Sequence, residues 1–247
     1  MRNGLSAFAA KRAPRAASCP RWTQRWPVRL VRLLVYCLLT WPATMLMCRP
    51  RIVGRGNLRG LKGPILIVSN HITQVDIGFI LAALPWRFRQ SLAVAMLGEM
   101  LRAMRRPPPE MGFFKRCSER LSYGLVVALF NVFPLPQKTG FRESFAFAGE
   151  SADRGYSIVV FPEGQRTPDG RLAPFRAGIG MLAENLNLPV VPVRIDGLYE
   201  LKMKEKKIAP PGTVTVIIGP PVRYEPGTDP ESIGRDLEQR VRSLSAS

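Results

Sequence analysis

From residue 63 to the end of the chain, short apolar runs alternate with segments in which apolar residues recur at helical spacing. The runs are rich in Val and Ile and are bounded by Gly, Pro or polar residues, which is typical of buried strands. Strands are predicted at 64–70, 91–97, 156–164, 188–197 and 213–222. Helices are predicted at 77–84, 141–155 and 229–244, and 124–136 is predicted to run from a helix into a strand. Strands separated by helices predict an α/β fold with a mostly parallel central sheet and helices on both faces.

The chain before this pattern has a different character. Residues 1–27 are basic and rich in Ala and Pro, which predicts a disordered tail. Residues 28–54 contain an uncharged run from Leu33 to Cys48 of 16 residues, which is shorter than the roughly 20 residues of a usual transmembrane helix. Pro42 interrupts this run, so we expect a membrane-associating helix or helical hairpin that lies in the interface. A spanning helix, a secretory signal and a buried core helix are the alternatives for this segment. The α/β domain is expected at 55–247.

The charge of the chain suggests a phosphate-bearing partner. The formal net charge is +18, and no acidic residue precedes Asp76. Such a surface attracts anionic lipid headgroups or nucleic acid. We expect no nucleic-acid partner, because the sequence contains no RNP-like aromatic strand, zinc knuckle or recognition helix. The four cysteines form no CxxC pair and there is one histidine, so we expect reduced thiols and no metal or organic cofactor.

The single histidine, His71, follows a predicted strand in the segment SNHITQVD, and Asp76 comes five residues later. Residues five apart lie about 140° apart around a helix, so both side chains cannot meet if both are helical. His71 is therefore expected in the strand-to-helix turn and Asp76 in the first helical turn. There the carboxylate can accept one imidazole N–H and leave the other nitrogen as a base. The sequence shows no Ser or Cys nucleophile elbow beside it, so this base would act on a hydroxyl of the substrate.

A second polar loop follows the strand predicted at 156–164. It carries Glu163, Arg166, Arg171 and Arg176. The carboxyl ends of parallel strands share one edge of the sheet, so this loop and His71 are expected at the same edge. Arginine binds phosphate oxygens two at a time, which favours an anionic substrate.

These segments resemble the glycerolipid acyltransferases of the 1-acylglycerol-3-phosphate (lysophosphatidic acid) acyltransferase type. The resemblance covers about 55–222 in four ordered blocks, NHITQVD, NVFPLPQ, FPEGQRTPDG and VVPVRIDG. It implies that His71 is the general base and that Asp76 orients it. It also implies substrate-binding roles, with the glycerol phosphate end held by Glu163, Gly164 and Arg166, and with Asn70 of the first block in contact with substrate. The fourth block, around Pro192, would support the acyl-donor side.

The sequence departs from the family pattern at two positions. Gln137 stands where the second block often has a phosphate-binding Arg, which leaves Lys138 or Arg142 as substitutes, and Gln165 stands where the third block often has Thr or Ser. The implied reaction moves a fatty acyl group from acyl-CoA or acyl carrier protein to a lysophospholipid, 1-acyl-glycerol-3-phosphate, at the cytoplasmic face of a membrane. A lyso-aminolipid or glycerol 3-phosphate as acceptor, or a non-catalytic lipid-binding module, are the alternatives.

Overall fold

The computed structural model describes residues 21–135, 141–204 and 208–245. The strands are β1 (Arg51–Val53), β2 (Leu66–Ser69), β3 (Leu92–Leu97), β4 (Val132–Leu135), β5 (Ser157–Val160), β6 (Val190–Asp196) and β7 (Thr215–Ile218). The helices are α1 (Trp26–Val35), α2 (Trp41–Met47), α3 (Asp76–Ala83), α4 (Trp86–Arg89), α5 (Gly98–Arg105), α6 (Phe113–Phe130), α7 (Phe141–Asp153), α8 (Gly178–Leu186), α9 (Leu198–Met203) and α10 (Pro230–Ser243).

The described strands form one seven-stranded sheet in the order β1-β7-β6-β2-β5-β3-β4. Neighbouring strands are parallel, except that β7 runs antiparallel to β6. Leu66 of β2 is in register with Ile158 of β5 on one side and Val190 of β6 on the other. The carboxyl ends of these three strands therefore lie side by side, and the predicted mostly parallel sheet is confirmed.

Both faces of the sheet are covered, because alternate residues of each strand point to opposite sides. Ile65 and Ile67 belong to a core that includes Phe79 of α3. Leu66 and Val68 belong to a second core that includes Leu237 of α10. The prediction of helices on both faces is confirmed.

Helix α3 is held at both ends by charged side chains. Asp76 is its first residue, and the guanidinium groups of Arg55 and Arg89 donate hydrogen bonds to the carbonyls of Ala83 and Leu84 at the other end. An acid at the start of a helix and bases at its end interact favourably with the helix macrodipole. Each such charge typically stabilises a helix by about 0.3–1 kcal/mol. This arrangement fixes the turn between β2 and α3, where His71 lies.

The apolar segment near the amino terminus forms a continuous helix, Trp26–Met47, of 22 residues, and an 18-residue stretch of it has a mean hydropathy of 1.6. A π-helical turn, Tyr36–Thr40, precedes Pro42, and this turn accommodates the proline, which lacks an N–H for the regular hydrogen-bond pattern. The helix is longer than the 16-residue run suggested, and its length and composition suffice to cross a membrane. It is mostly exposed, so the alternative of a buried core helix is wrong.

Two expected boundaries are corrected by the structure. Arg21–Gln24 form a 3-10 turn in which the Thr23 hydroxyl donates to the Asn131 side chain at 2.7 Å, so the expected disorder does not extend to residue 27. Residues 1–20 lie outside the described residues. Strand β1 pairs with β7 and belongs to the sheet, so the α/β domain begins before residue 55. Helices α4, α5, α8 and α9 were also not predicted.

Candidate active site

His71 and Asp76 are in contact, as the spacing predicted. His71 lies in the turn after β2, and its Nδ1 is 2.8 Å from Oδ2 of Asp76. A carboxylate only accepts, so the neutral imidazole carries its proton on Nδ1 and has a lone pair on Nε2. The His71 side chain is 24% exposed. No hydrogen bond to Nε2 occurs within the described part of the chain, so this nitrogen can receive a proton from a bound hydroxyl.

The buried Asp76 carboxylate also organises the turn that precedes it. Its oxygens accept hydrogen bonds from the backbone N–H of Ile72 at 2.7 Å and of Thr73 at 2.9 Å, and from the Thr73 hydroxyl at 2.8 Å. These donors offset the cost of burying the carboxylate. Asp76 therefore fixes both the imidazole and the main chain that carries it.

The loop after β5 holds the other side of His71. The His71 N–H donates to Oε1 of Glu163 at 2.7 Å, and the His71 carbonyl accepts from the N–H of Thr167 at 2.9 Å. The imidazole stacks on the ring of Phe161, with 4.4 Å between centroids and 24° between planes. The contacts of Phe161 and Thr167 with His71 were not predicted. The available signal was the position of Phe161 at the end of a neighbouring strand.

Glu163 points into the protein. The side chain is buried, at 3% exposure, and its second oxygen accepts from the N–H of Ala173 at 2.8 Å. Both oxygens thus have backbone partners, and the contact with glycerol phosphate that the resemblance implied stays a prediction. Burial raises the pKa of Glu163, and the hydrogen bonds from the Ala173 and His71 N–H groups oppose this rise.

Asn70 bonds to a neighbouring strand. Its buried amide donates to the carbonyl of Ile195 at 2.9 Å and accepts from the N–H of Ile195 at 2.8 Å. The side chain thus continues the hydrogen bonding between β2 and β6 beyond the last residue of β2. The substrate contact that the resemblance implied for Asn70 stays a prediction.

The remaining third-block residues line the exposed side of the same loop. Gly164 has φ of +72°, and a Cβ there would collide with the Arg176 side chain, whose Nε donates to the Glu163 carbonyl at 3.2 Å. Arg166 and Arg171 are exposed. Arg166 lies one residue before Thr167, whose N–H donates to the His71 carbonyl, so it belongs to the part of the loop that borders the His71 turn.

The second block lies farther away. It contains β4, which is three strands from β2 in the sheet order, or about 14 Å at the usual 4.7–4.9 Å spacing. Gln137 and Lys138 lie outside the described residues. Arg142 is exposed near the start of α7. The described structure therefore does not bring a second-block residue against His71.

An apolar cavity of about 300 Å³ lies between the N-terminal helix and the sheet domain. Leu33, Leu81, Val94 and other apolar side chains line it, and Arg29 and Arg89 contribute charge. Ile77, the residue after Asp76, is also part of its wall. A site of this size is at the lower end of the range for small ligands.

The described residues contain no cluster of three or more His, Cys, Asp and Glu side chains placed to hold a metal ion. Cys37, Cys48 and Cys117 are free thiols, as expected, and Cys19 lies outside the described residues.

Comparison with known proteins identifies the family of the chain. The Acyltransferase family profile matches residues 49–196, and the chain belongs to this family. It is 31% identical over 144 residues to the 1-acyl-sn-glycerol-3-phosphate acyltransferase of Pseudomonas aeruginosa, covering 53% of this chain and 54% of that protein. It is 28% identical over 173 residues to the chloroplastic 1-acyl-sn-glycerol-3-phosphate acyltransferase BAT2 of Brassica napus, covering 69% of this chain and 44% of that protein. The chain thus spans about half the length of these relatives.

A solved structure shares the fold. The crystal structure of the 1-acyl-sn-glycerophosphate (LPA) acyltransferase PlsC from Thermotoga maritima superposes with a TM-score of 0.57 at 22% identity. The superposition covers 89% of this chain and 82% of that one.

Proposed function

We propose that this protein transfers a fatty acyl group from a thioester donor to the free hydroxyl of 1-acyl-glycerol-3-phosphate, which gives phosphatidic acid. The observation that carries the proposal is the 2.8 Å contact between His71 Nδ1 and Asp76 Oδ2, which leaves Nε2 as a base at the sheet edge. Membership of the Acyltransferase family and the names of its relatives support the reaction.

The proposed step is a direct attack by the acceptor on the thioester. Nε2 of His71 takes the hydroxyl proton as the oxygen bonds to the carbonyl carbon, and a tetrahedral oxyanion forms. The carbon–sulfur bond then breaks, and the imidazolium returns the proton to the leaving thiolate. Asp76 stabilises the imidazolium through its hydrogen bond to Nδ1. General-base catalysis of this kind contributes about 10²- to 10⁴-fold.

Arg166 is proposed to bind the phosphate of the acceptor, because among the exposed arginines of this loop it is the one next to Thr167, whose N–H donates to the His71 carbonyl. Arg142 is the matched comparison, an exposed arginine on the distant second-block side. Arg166→Ala should raise KM for lysophosphatidic acid about tenfold or more, the loss expected for a hydrogen bond between charged groups. Arg142→Ala should change KM less, and the reverse order would contradict this assignment of the phosphate site.

The apolar cavity is proposed to accept a fatty acyl chain. Ile77, the residue after Asp76, lines the cavity, and most of the other lining side chains are hydrocarbon. The cavity therefore suits an alkyl chain better than a polar group. The cavity faces the N-terminal helix, which supports a location of the enzyme at a membrane, proposed here as the cytoplasmic face. Acyl-CoA or acyl carrier protein would serve as donor, with no further cofactor.

The test measures transfer from radiolabelled acyl-CoA, and in parallel from acyl carrier protein, to a panel of acceptors with wild type and His71→Ala. The panel contains lysophosphatidic acid, a lyso-aminolipid and glycerol 3-phosphate. Transfer to lysophosphatidic acid that is lost in a His71→Ala protein with an unchanged thermal melt is the expected result. Undiminished transfer in His71→Ala would rule out the mechanism. Transfer to another acceptor alone would refute the proposed substrate, and binding of lipid without transfer to any acceptor would favour a lipid-binding module.

A further inference from the structure

Helix α6 exposes apolar side chains that neither the fold nor the proposed reaction uses. Phe113 and Phe114 begin the helix, are 72% and 86% exposed and contact each other edge to face at 5.7 Å. Leu121 and Leu125 follow on the same helix at 65% and 51% exposure. Isolated exposed apolar residues are common on soluble proteins, but several on one helix indicate a binding surface.

These side chains form one stripe. Phe114, Cys117, Leu121 and Leu125 are separated by three, four and four residues, so they lie within a narrow sector of the helix. Val127 lies about 120° around the helix from the centre of this sector and is buried against Leu101 and Val132. The helix therefore packs on the protein through one face and turns the α6 stripe (Phe114, Cys117, Leu121 and Leu125) to the outside.

The surroundings of the stripe are cationic. The exposed basic side chains of α5, of the segment that follows it and of the first turns of α6 are Arg102, Arg105, Arg106, Lys115 and Arg120. Helix α5 packs against α6, so these charges lie on α6 itself and on the helix and segment next to it. The acidic side chains described in this region are Glu110 and Glu119. Apolar rings among arginines and lysines match the interface of an anionic bilayer, where each cation adds to the attraction.

The stripe also lies on a helix that packs against the exposed N-terminal helix. Helix α6 packs against α1, and the Arg32 guanidinium of α1 donates to the Ala128 carbonyl of α6 at 2.7 Å. The helix Trp26–Met47 exposes Trp26, Leu38 and Leu46, each at 70% or more. Two adjoining helices that both expose apolar side chains can contact a single bilayer together.

We infer that the α6 stripe and Phe113 dock on the surface of a bilayer that contains anionic lipid, as a second contact beside the N-terminal helix. The inference rests on the proposed function only in that a lysophospholipid acceptor would bring the enzyme to a membrane. Docking at α6 would fix the rotation of the domain on the bilayer, because one helix alone leaves the protein free to turn about it.

The first experiment places a probe on the stripe of the full chain. In a Cys19→Ser/Cys37→Ser background, Cys117 is the exposed thiol and Cys48 is buried, so an environment-sensitive fluorophore is attached to Cys117. The control probe is attached through Met181→Cys in the same background with Cys117→Ser, since Met181 is exposed on α8, which packs against α7 and α10. Vesicles of phosphatidylcholine, with and without phosphatidylglycerol, carry brominated acyl chains as quenchers.

With anionic vesicles, we expect a blue shift and quenching of the Cys117 probe and neither change for the Met181→Cys probe. A Cys117 probe that stays in water while the protein sediments with the vesicles would overturn the inference. Equal quenching of both probes would also overturn it, because the contact would not be specific to α6.

The second experiment removes the apolar contact. Phe113→Ser/Phe114→Ser should lower partitioning into anionic vesicles about tenfold or more, since burial of one such ring is worth about that factor. Met181→Ser is the control and should leave partitioning unchanged. Lys115→Gln/Arg120→Gln should weaken binding and reduce its dependence on salt. Unchanged partitioning of the Phe113→Ser/Phe114→Ser variant would contradict the inference. It would also be contradicted if the wild type is a dimer that this variant dissociates while vesicle binding stays the same.

Neither experiment uses turnover, so failure of the acyltransferase proposal would leave the docking result intact. Conversely, the Phe variant should retain wild-type transfer to lysophosphatidic acid dispersed in detergent, where no bilayer is needed. Loss of that activity would show that the rings act in the enzyme itself and would contradict a purely docking role.

Discussion

Replacement of Glu163 by glutamine tests whether this buried carboxylate positions His71 or binds substrate. Its oxygens accept from the N–H groups of His71 and Ala173, at 2.7 and 2.8 Å. Glutamine has the same shape but offers one acceptor oxygen and one NH₂ group. In either orientation the NH₂ group faces a backbone N–H, so one of the two hydrogen bonds is lost and donors oppose each other.

The expected magnitude follows from the bonds that are lost. A hydrogen bond to a charged group contributes about 1.5–3 kcal/mol, and a buried N–H left without a partner adds to the loss. The free energy of unfolding should therefore fall by about 1–3 kcal/mol. A displaced imidazole costs up to about 10²-fold in rate for a shift near 1 Å, so kcat should fall about 10- to 100-fold. The acceptor KM should change by less than about threefold, because Glu163 is buried and both of its oxygens are bonded to backbone N–H groups.

The assay is steady-state transfer to lysophosphatidic acid, together with urea denaturation of each variant. Glu238→Gln is the matched control, because Glu238 accepts the N–H of Phe175 on the same loop at 2.9 Å but does not contact His71. The control should lose stability with kcat nearly unchanged. A raised acceptor KM with unchanged kcat in Glu163→Gln would refute the positioning role and restore the substrate contact that the resemblance implied.

Three further results are expected. Gly164→Ala should cost more stability than Gly212→Ala, because both glycines have positive φ but only the first would place its Cβ against a neighbouring side chain; equal losses in urea denaturation would contradict this reason. Asn70→Asp should lower the thermal midpoint and leave the acceptor KM unchanged, since its carboxylate would face the carbonyl of Ile195; a KM change with an unaltered melt would instead indicate substrate contact. Burial raises the pKa of Glu163 above its ordinary 4.5, so above pH 4.5 the folded protein still holds a proton that the unfolded chain has lost, and the wild type loses stability as pH rises. Glu163→Gln lacks this titration, so the difference in unfolding free energy between wild type and variant should shrink from pH 4.5 to 7 in denaturation curves. A difference that grows with pH would contradict the direction of the shift.

The sequence predicted the central strands because parallel strands buried on both faces are continuous apolar runs. β2, β5 and β6 were located in this way. β1 was missed because it is a three-residue strand that begins with Arg51 at the edge of the sheet. α8 was missed because its glycines resemble a loop. In the structure Gly180 lies where a Cβ would collide with the Pro230 carbonyl at the start of α10, so the glycine permits close helix packing.

The site was only partly predictable for a related reason. The contact between His71 and Asp76 follows from residue spacing and helical geometry, both of which a sequence displays. The partners of Glu163 are backbone N–H groups from distant segments, and no pattern of side chains marks such groups. Asn70 similarly bonds to the main chain of Ile195, 125 residues away. The sequence alone therefore does not distinguish a polar side chain that bonds to the backbone of another strand from one that contacts substrate.

The sheet order explains why the first block depends on the third and fourth blocks more than on the second. β2 lies between β5 and β6, so the loop that carries His71 is bonded on one side by Glu163 and on the other by Ile195 through Asn70. A substitution in the loop after β5 or in β6 can therefore shift the His71 turn through one of these hydrogen bonds. The second block contains β4, two strands beyond β5 and about 14 Å from β2 at the usual strand spacing, so the described contacts that hold His71 come from the two strands next to β2 and from the loop after β5.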